Sequence, residues 1–323
     1  MHATDLLSPP PTSARAEFPS DFGRRFVVFG DLEEEFDWGA PFSREANATK
    51  AVAALPAANR RFVEAGVVPT YVCGYPVAAT PESRDAVARM ECDIGAHLHP
   101  WVTPPHDEAV NVANSFAGNL PEPLERAKLA RLTGTLEEAF GRRPIIYRAG
   151  RYGVGPNTHR ILADLGYRVD ASVRARFDYG AEAGPDFTDH PIDPYWLDNG
   201  LFALPLTTSL AGPLGRWPGL TRASRLRGAL ARSGLLNRIP LTPEGVPLAE
   251  AKQAIETELD RGTRMFSLSF HTPSVEPGHT PYVRDAADLR AFWAWWDGVF
   301  DLFARRGVTP VRTPEILAAA ERS

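Results

Sequence analysis

The sequence predicts an α/β protein built from repeated strand and helix units, and three observations carry that expectation. Short apolar runs rich in Val, Phe and Ile alternate with segments of helical periodicity from about residue 22 onward. Polar residues able to do chemistry stand immediately after several of those runs. No internal repeat competes with this reading.

Residues 1–20 are rich in Pro, Ser and Ala without periodicity, which predicts a mobile tail ahead of one folded domain over 21–323. The run Phe26-Val27-Val28-Phe29 predicts a strand over 25–30, followed by a helix over about 45–65 and a strand over 68–73. A helix at 81–90 and a strand at 93–98 come next. Strands separated by helices need crossover connections, and so a parallel sheet. The rhythm continues with a helix at 121–140, a short strand at Pro144-Ile145-Ile146-Tyr147, a helix at 156–165 and a strand around Tyr167-Arg168-Val169-Asp170. Between 180 and 247 the pattern weakens into Gly- and Pro-rich loops around Leu201 to Leu206, so the 184–247 segment is expected to be an elaboration of the same domain. Met265 to Phe270 is the last clear strand. The helix Ala286 to Arg306 carries Phe292, Trp293, Trp296, Phe300 and Phe303 at the spacing of a buried face.

At 323 residues with 44% apolar content the chain can bury a large core. A formal charge of −5, mixed in sign along most of the sequence, gives no reason to expect a nucleic-acid partner. No run of about 18 apolar residues occurs, so no integral membrane segment is expected, and the start of the chain lacks the pattern of a signal peptide. Cys73 and Cys92 are expected to be free thiols, which fits a cytoplasmic protein. One local exception to the mixed charge is 216–238. There Arg216, Arg222, Arg225, Arg227, Arg232 and Arg238 occur among leucines with no acidic residue. That segment is either a solvated basic helix or a surface for an anionic part of a substrate or for peripheral contact with a membrane.

The chemistry centres on Gly95-Ala96-His97-Leu98-His99-Pro100-Trp101, because imidazoles two residues apart on an extended segment point the same way. His97, His99 and one carboxylate would supply three ligands for zinc or a similar divalent cation. Asp31-Leu32-Glu33-Glu34-Glu35 follows the first strand, and the Asp31/Glu33 pair could provide both a ligand and a general base. His271 ends the last strand. Parallel sheets offer ligand sites at the carboxyl ends of their strands, so Asp31, Glu33, His97, His99, Arg148, Asp170 and His271 are expected to share one mouth. Gly150, Gly153 and Gly155 do not form a dinucleotide fingerprint, and no HExxH, CxxC or GxSxG pattern occurs. His106, His159, His190 and His279 read as solvent-exposed.

These segments resemble, in order, the motifs of the polysaccharide deacetylase (NodB-homology) family of carbohydrate esterases, over roughly residues 24 to 273. The resemblance implies a deformed (β/α) barrel and hydrolysis of a carbon–nitrogen bond outside peptides, with removal of acetyl from an N-acetylated sugar or sugar conjugate as the leading substrate expectation. It implies Asp31 as base and Glu33 as metal ligand from Asp31-Leu32-Glu33. The family usually has adjacent aspartates there, so Glu34 and Glu35 stay open as alternative ligands. His97 and His99 correspond to the histidine ligands, which the family usually spaces four apart. Arg148 in Tyr147-Arg148-Ala149-Gly150-Arg151-Tyr152-Gly153 resembles the arginine that orients the base. Asp170 and His271 resemble the final aspartate and the histidine acid, with Asp170 expected beside His271 to favour its imidazolium. A divalent metal, zinc by ligand type, is the implied cofactor. The alternatives are an amidase of the same fold with an incomplete metal site or none, and a carbohydrate-binding protein without chemistry.

Overall fold

The computed structural model describes residues 4–215, 233 and 235–321. Its strands are β1 (Arg24–Leu32), β2 (Thr70–Cys73), β3 (Asp93–Leu98), β4 (Ile146–Ala149), β5 (Val169–Asp170), β6 (Tyr195–Trp196), β7 (Phe202–Ala203), β8 (Thr208–Ala211), β9 (Asn237–Pro240), β10 (Met265–His271) and β11 (Val308–Pro310). The described α-helices are α1 (Leu55–Glu64), α2 (Tyr75–Ala79), α3 (Pro81–Ala88), α4 (Glu122–Phe140), α5 (Thr158–Asp164), α6 (Leu248–Asp260), α7 (Ala286–Arg305) and α8 (Thr313–Ala320).

Strand order is β10-β1-β2-β3-β4-β5-β7-β6, with β11 added to the start of β1. Every pairing in this sheet is parallel except β6 with β7. The sheet curls into a half-barrel, and the segment after β7 closes it with isolated hydrogen bonds. Leu206 N donates to Val173 O, while Thr207 N donates to Ser267 O on the far strand. The antiparallel β8–β9 ribbon continues from there, and Ser269 N donates to Leu241 O.

Alternation along the strands separates two cores and explains where the polar ends point. Val27, Phe29, Val72, Ile146, Val169, Phe202 and Met265 fill the inside of the half-barrel. Phe26, Val28, Tyr71, Leu98, Tyr147, Phe266 and Phe270 face the surrounding helices. Strand side chains alternate with period two, so Asp31 and Glu33 continue the inward row of Val27 and Phe29. His97 and Ser267, Ser269 and His271 take the inward row on their own strands.

Several expectations change in detail. The helix expected over 45–65 starts late: residues 45–49 serve a bridge between Glu35 and Ala48, Lys50–Ala54 is a 3-10 turn, and α1 begins with Pro56 in its first turn, where a missing N–H costs nothing. The described part of the expected tail is packed rather than loose. Leu6 and Ala14 are buried in the helix-side core, and Ala16 N donates to Pro194 O. On α7 the buried face includes Trp295 as well as Phe292, Trp296 and Phe303, while Trp293 and Phe300 are only partly covered. Cys73 and Cys92 are both free and buried. No helix among the described residues is long and apolar enough to cross a membrane. Arg216, Arg222, Arg225, Arg227 and Arg232 lie outside the described residues. Arg238 sits in β9, where its guanidinium packs 3.8 Å from the Phe177 ring centroid and donates to Arg176 O.

Candidate active site

The carboxyl ends of β1, β3, β4 and β10 open into one cleft of about 370 Å³, lined by Asp31, Glu33, His97, His99 and His271 among others. Parallel registers bring these residues side by side: Asp31 pairs with His271 across β1 and β10, and His97 with Arg148 across β3 and β4.

Both histidines present the same nitrogen to the same acid. His97 Nε2 lies 3.4 Å and His99 Nε2 3.5 Å from Glu33 Oε2, and all three side chains are buried. Their other nitrogens are taken. His97 Nδ1 pairs with the Arg148 carbonyl at 3.0 Å, and His99 Nδ1 with Glu34 Oε1 at 2.7 Å. With acceptors on both Nδ1 atoms, the neutral form of each ring carries its proton there and leaves Nε2 bare, which is the arrangement a cation needs. The three ligand atoms lie within 4.8 Å of one another. Chemistry and placement of this donor set therefore fit a divalent cation. The open choice within the acidic run resolves by direction: Glu33 faces the histidines, Glu34 supports His99, and Glu35 accepts from Ala51 N and pairs with His279.

Packing holds the His99 ring. Trp101 stacks on it with centroids 4.3 Å apart, Phe36 meets it edge-on, and Gly150 lies directly beneath. A methyl group on Gly150 would overlap the ring and come within 2.6 Å of Leu98 O. The loop after the pair is pinned by buried Lys128, which donates to the carbonyls of Pro100, Thr103 and Pro105 and pairs with Glu108 at 3.0 Å.

Two further pairs flank the cluster. Arg148, fully buried, donates from Nη1 to Asp31 Oδ1 at 2.5 Å and from Nε to Ala171 O at 3.0 Å. Burial alone would raise the Asp31 pKa, but Arg148, His97 and His271 hold it below the usual carboxylate value. On the opposite side of β1, His271 Nδ1 meets Glu244 Oε2 at 2.7 Å. Glu244 is fixed in turn by His271 N and Ser274 Oγ, at 3.1 and 2.6 Å. Burial would lower the His271 pKa, yet Glu244 above all, with Glu33 and Asp31, pushes it up to about 10.

Asp170 requires a correction. Its neighbours Val169 and Ala171 take the inward row, so Asp170 points to the helix side, away from His271. Its carboxylate accepts from Ser172 N and Oγ, and Ser172 Oγ accepts from Ala149 N. Burial raises its pKa to about 6. Asp170 thus buttresses the strand that carries Arg148, while the acid beside His271 is Glu244, which sequence reasoning missed. Its only signal was an acid shortly after an apolar run, in Leu241-Thr242-Pro243-Glu244. His159 and His190, expected at the surface, are buried, whereas His106 is exposed. The cleft wall was also unforeseen: Phe36, Trp38, Phe42, Tyr152, Tyr179 and Tyr282 form an aromatic rim with Arg151 and Arg174 between them. Arg151 and Tyr152 both hold positive φ, 54° and 60°, a strained conformation that turns these side chains toward the cleft.

No protein-family model matches the sequence, and no curated protein matches it. Solved structures do. A protein provisionally described as a polysaccharide deacetylase from Pseudomonas aeruginosa PAO1 aligns over 94% of this chain and 93% of its own, with 16% identity and a TM-score of 0.53. Another so described, from Mycobacterium smegmatis, aligns over 95% and 98% with 21% identity and a TM-score of 0.50. The chain has the polysaccharide deacetylase fold. Puue allantoinase shares it, over 99% of this chain and 97% of its own, with 17% identity and a TM-score of 0.50. At these identities the deacetylase fold is established by shape, and the site must speak for the chemistry.

Proposed function

We propose that the protein is a metal-dependent hydrolase of carbon–nitrogen bonds outside peptides, acting on an N-acylated sugar or sugar conjugate. One observation carries the reading: two bare histidine nitrogens converge on Glu33 between an ion-paired aspartate and a carboxylate-backed histidine, all in one cleft. A binding module has no use for that division of labour.

A divalent cation held by Glu33, His97 and His99 would polarise the amide carbonyl and acidify water. Arg148 keeps Asp31 ionised and fixes Oδ1, leaving Oδ2 to take a proton from the attacking water. The water oxygen joins the carbonyl carbon. Glu244 keeps His271 protonated, so His271 can donate to the nitrogen as the carbon–nitrogen bond breaks. The proton gained by Asp31 then replaces the one His271 gave up, and water and amide become acid and amine. The cleft volume of about 370 Å³ suits one sugar unit or a small linear or cyclic amide better than a polymer lying across the surface.

The test is release of acetate or amine from a panel of N-acetylated sugars, sugar nucleotides and small amides. Release by the zinc-loaded protein that disappears with a chelator and falls at least about a hundredfold in Asp31→Asn is expected. Metal bound without release from any member would contradict the proposal.

A further inference from the structure

We propose that the substrate carries an anionic group, a carboxylate or a phosphate, and that Arg174 is the residue that reads it; the word substrate here rests on the hydrolase reading above. Arg174 follows β5 and bridges Leu206 where the barrel closes, and its half-buried side chain lines the same cleft as the metal cluster.

The other cleft cations are matched. Arg148 pairs with Asp31 and Arg151 with Glu182. Among the described residues no carboxylate lies within ion-pair distance of Arg174. Its one hydrogen bond among the described residues is from Nη1 to the Tyr179 hydroxyl, at 3.0 Å. A guanidinium has five N–H donors, so this contact leaves most of them unused. Two aromatic rings lie against it: Cζ is 4.1 Å from the Phe177 ring centroid and 5.1 Å from that of Tyr152.

A flat cation packed against rings in a cleft wall, with donors to spare, can take a planar or tetrahedral oxyanion through two parallel hydrogen bonds. None of the cleft acids pairs with it: Asp31 is held by Arg148, Glu33 faces the histidines, Glu182 pairs with Arg151, Glu244 with His271, and Asp37 accepts from Gly39 N. That leaves the position of its counter-charge to an anion bound in the cleft. Tyr179 and Tyr282 line the same cleft, and the Tyr179 hydroxyl adjoins Arg174.

The experiment is calorimetric titration of the zinc-loaded protein with matched pairs. N-acetylglycine against N-acetylglycinamide probes a carboxylate, and N-acetylglucosamine 6-phosphate against N-acetylglucosamine probes a phosphate. The anionic member of one pair should bind at least about tenfold more tightly. Arg174→Gln should erase that preference, and Arg174→Lys should restore part of it. Equal affinity within both pairs, no binding by either anion, or a preference that survives Arg174→Gln would overturn the proposal. Binding is read with or without turnover, so a failure of hydrolysis would count against the enzymatic reading alone. The wild-type and lysine measurements decide the matter even where the glutamine variant does not fold.

Discussion

Replacing Glu244 by Gln tests the acid half of the site most sharply, because it changes charge while keeping shape. Glu244 now accepts from His271 N and Ser274 Oγ through one oxygen and from His271 Nδ1 through the other. A glutamine can keep the first two bonds on its carbonyl oxygen. Its amide group then faces Nδ1 as a donor, which forces the proton onto Nε2 and removes the partner of the imidazolium. A buried charge-assisted hydrogen bond contributes about 1.5–3 kcal/mol, equivalent to about one to two pKa units. His271, held up to about 10, should therefore lose its proton closer to neutrality. The assay is the pH dependence of kcat/KM. In the wild type, activity that needs protonated His271 persists through neutral pH and falls as pH rises toward about 10. In Glu244→Gln the alkaline fall should begin about one to two units lower, with the plateau reduced about tenfold or more. An unchanged alkaline limb would refute the assignment of Glu244 and, with it, of His271 as the proton donor.

Two further outcomes follow from packing and burial. Gly150→Ala should displace the His99 ring and weaken zinc affinity about tenfold to a hundredfold in a competition titration with a chelating dye; unaltered affinity would show that the ring is not held as described. Glu125 is buried behind the site with Oε1 bonded by Thr158 and Oε2 unpartnered among the described residues, and burial raises its pKa to about 7. A carboxyl whose folded pKa is raised favours folding below its unfolded value and loses that contribution as pH rises through the folded one. Thermal melts of the wild type should therefore lose ground to Glu125→Gln between about pH 4.5 and 7, by up to about 3 kcal/mol. Parallel curves across that range would contradict it.

How much could be read from the sequence depended on how long each strand is. β1 and β10 are nine and seven residues long, enough for alternation to set Asp31 and Glu33 in line with Val27 and Phe29, and His271 in line with Ser267 and Ser269 opposite the apolar row of Phe266, Leu268 and Phe270. The two-residue spacing of His97 and His99 sets both on one face in the same way. β5 has only two residues, too few for Tyr167-Arg168-Val169-Asp170 to reveal its inward side, so the sequence places Asp170 at the mouth where the structure turns it to the helix side. Glu244 lies among short strands and turns after β9, where no period exists to orient a side chain. In the acidic run 33–35 three successive carboxylates take three different directions, which spacing alone does not distinguish. Composition misread the start of the chain, since its prolines do not prevent Leu6 and Ala14 from burying.

The central claim is that Glu33, His97 and His99 hold one divalent cation, and elemental analysis of the purified protein tests it most directly. Close to one equivalent of zinc or a similar metal per chain should remain after loading and dialysis, and should be lost in a His97→Ala/His99→Ala variant that still folds. A wild-type chain that retains no metal, or a double variant that retains as much as the wild type, would contradict it.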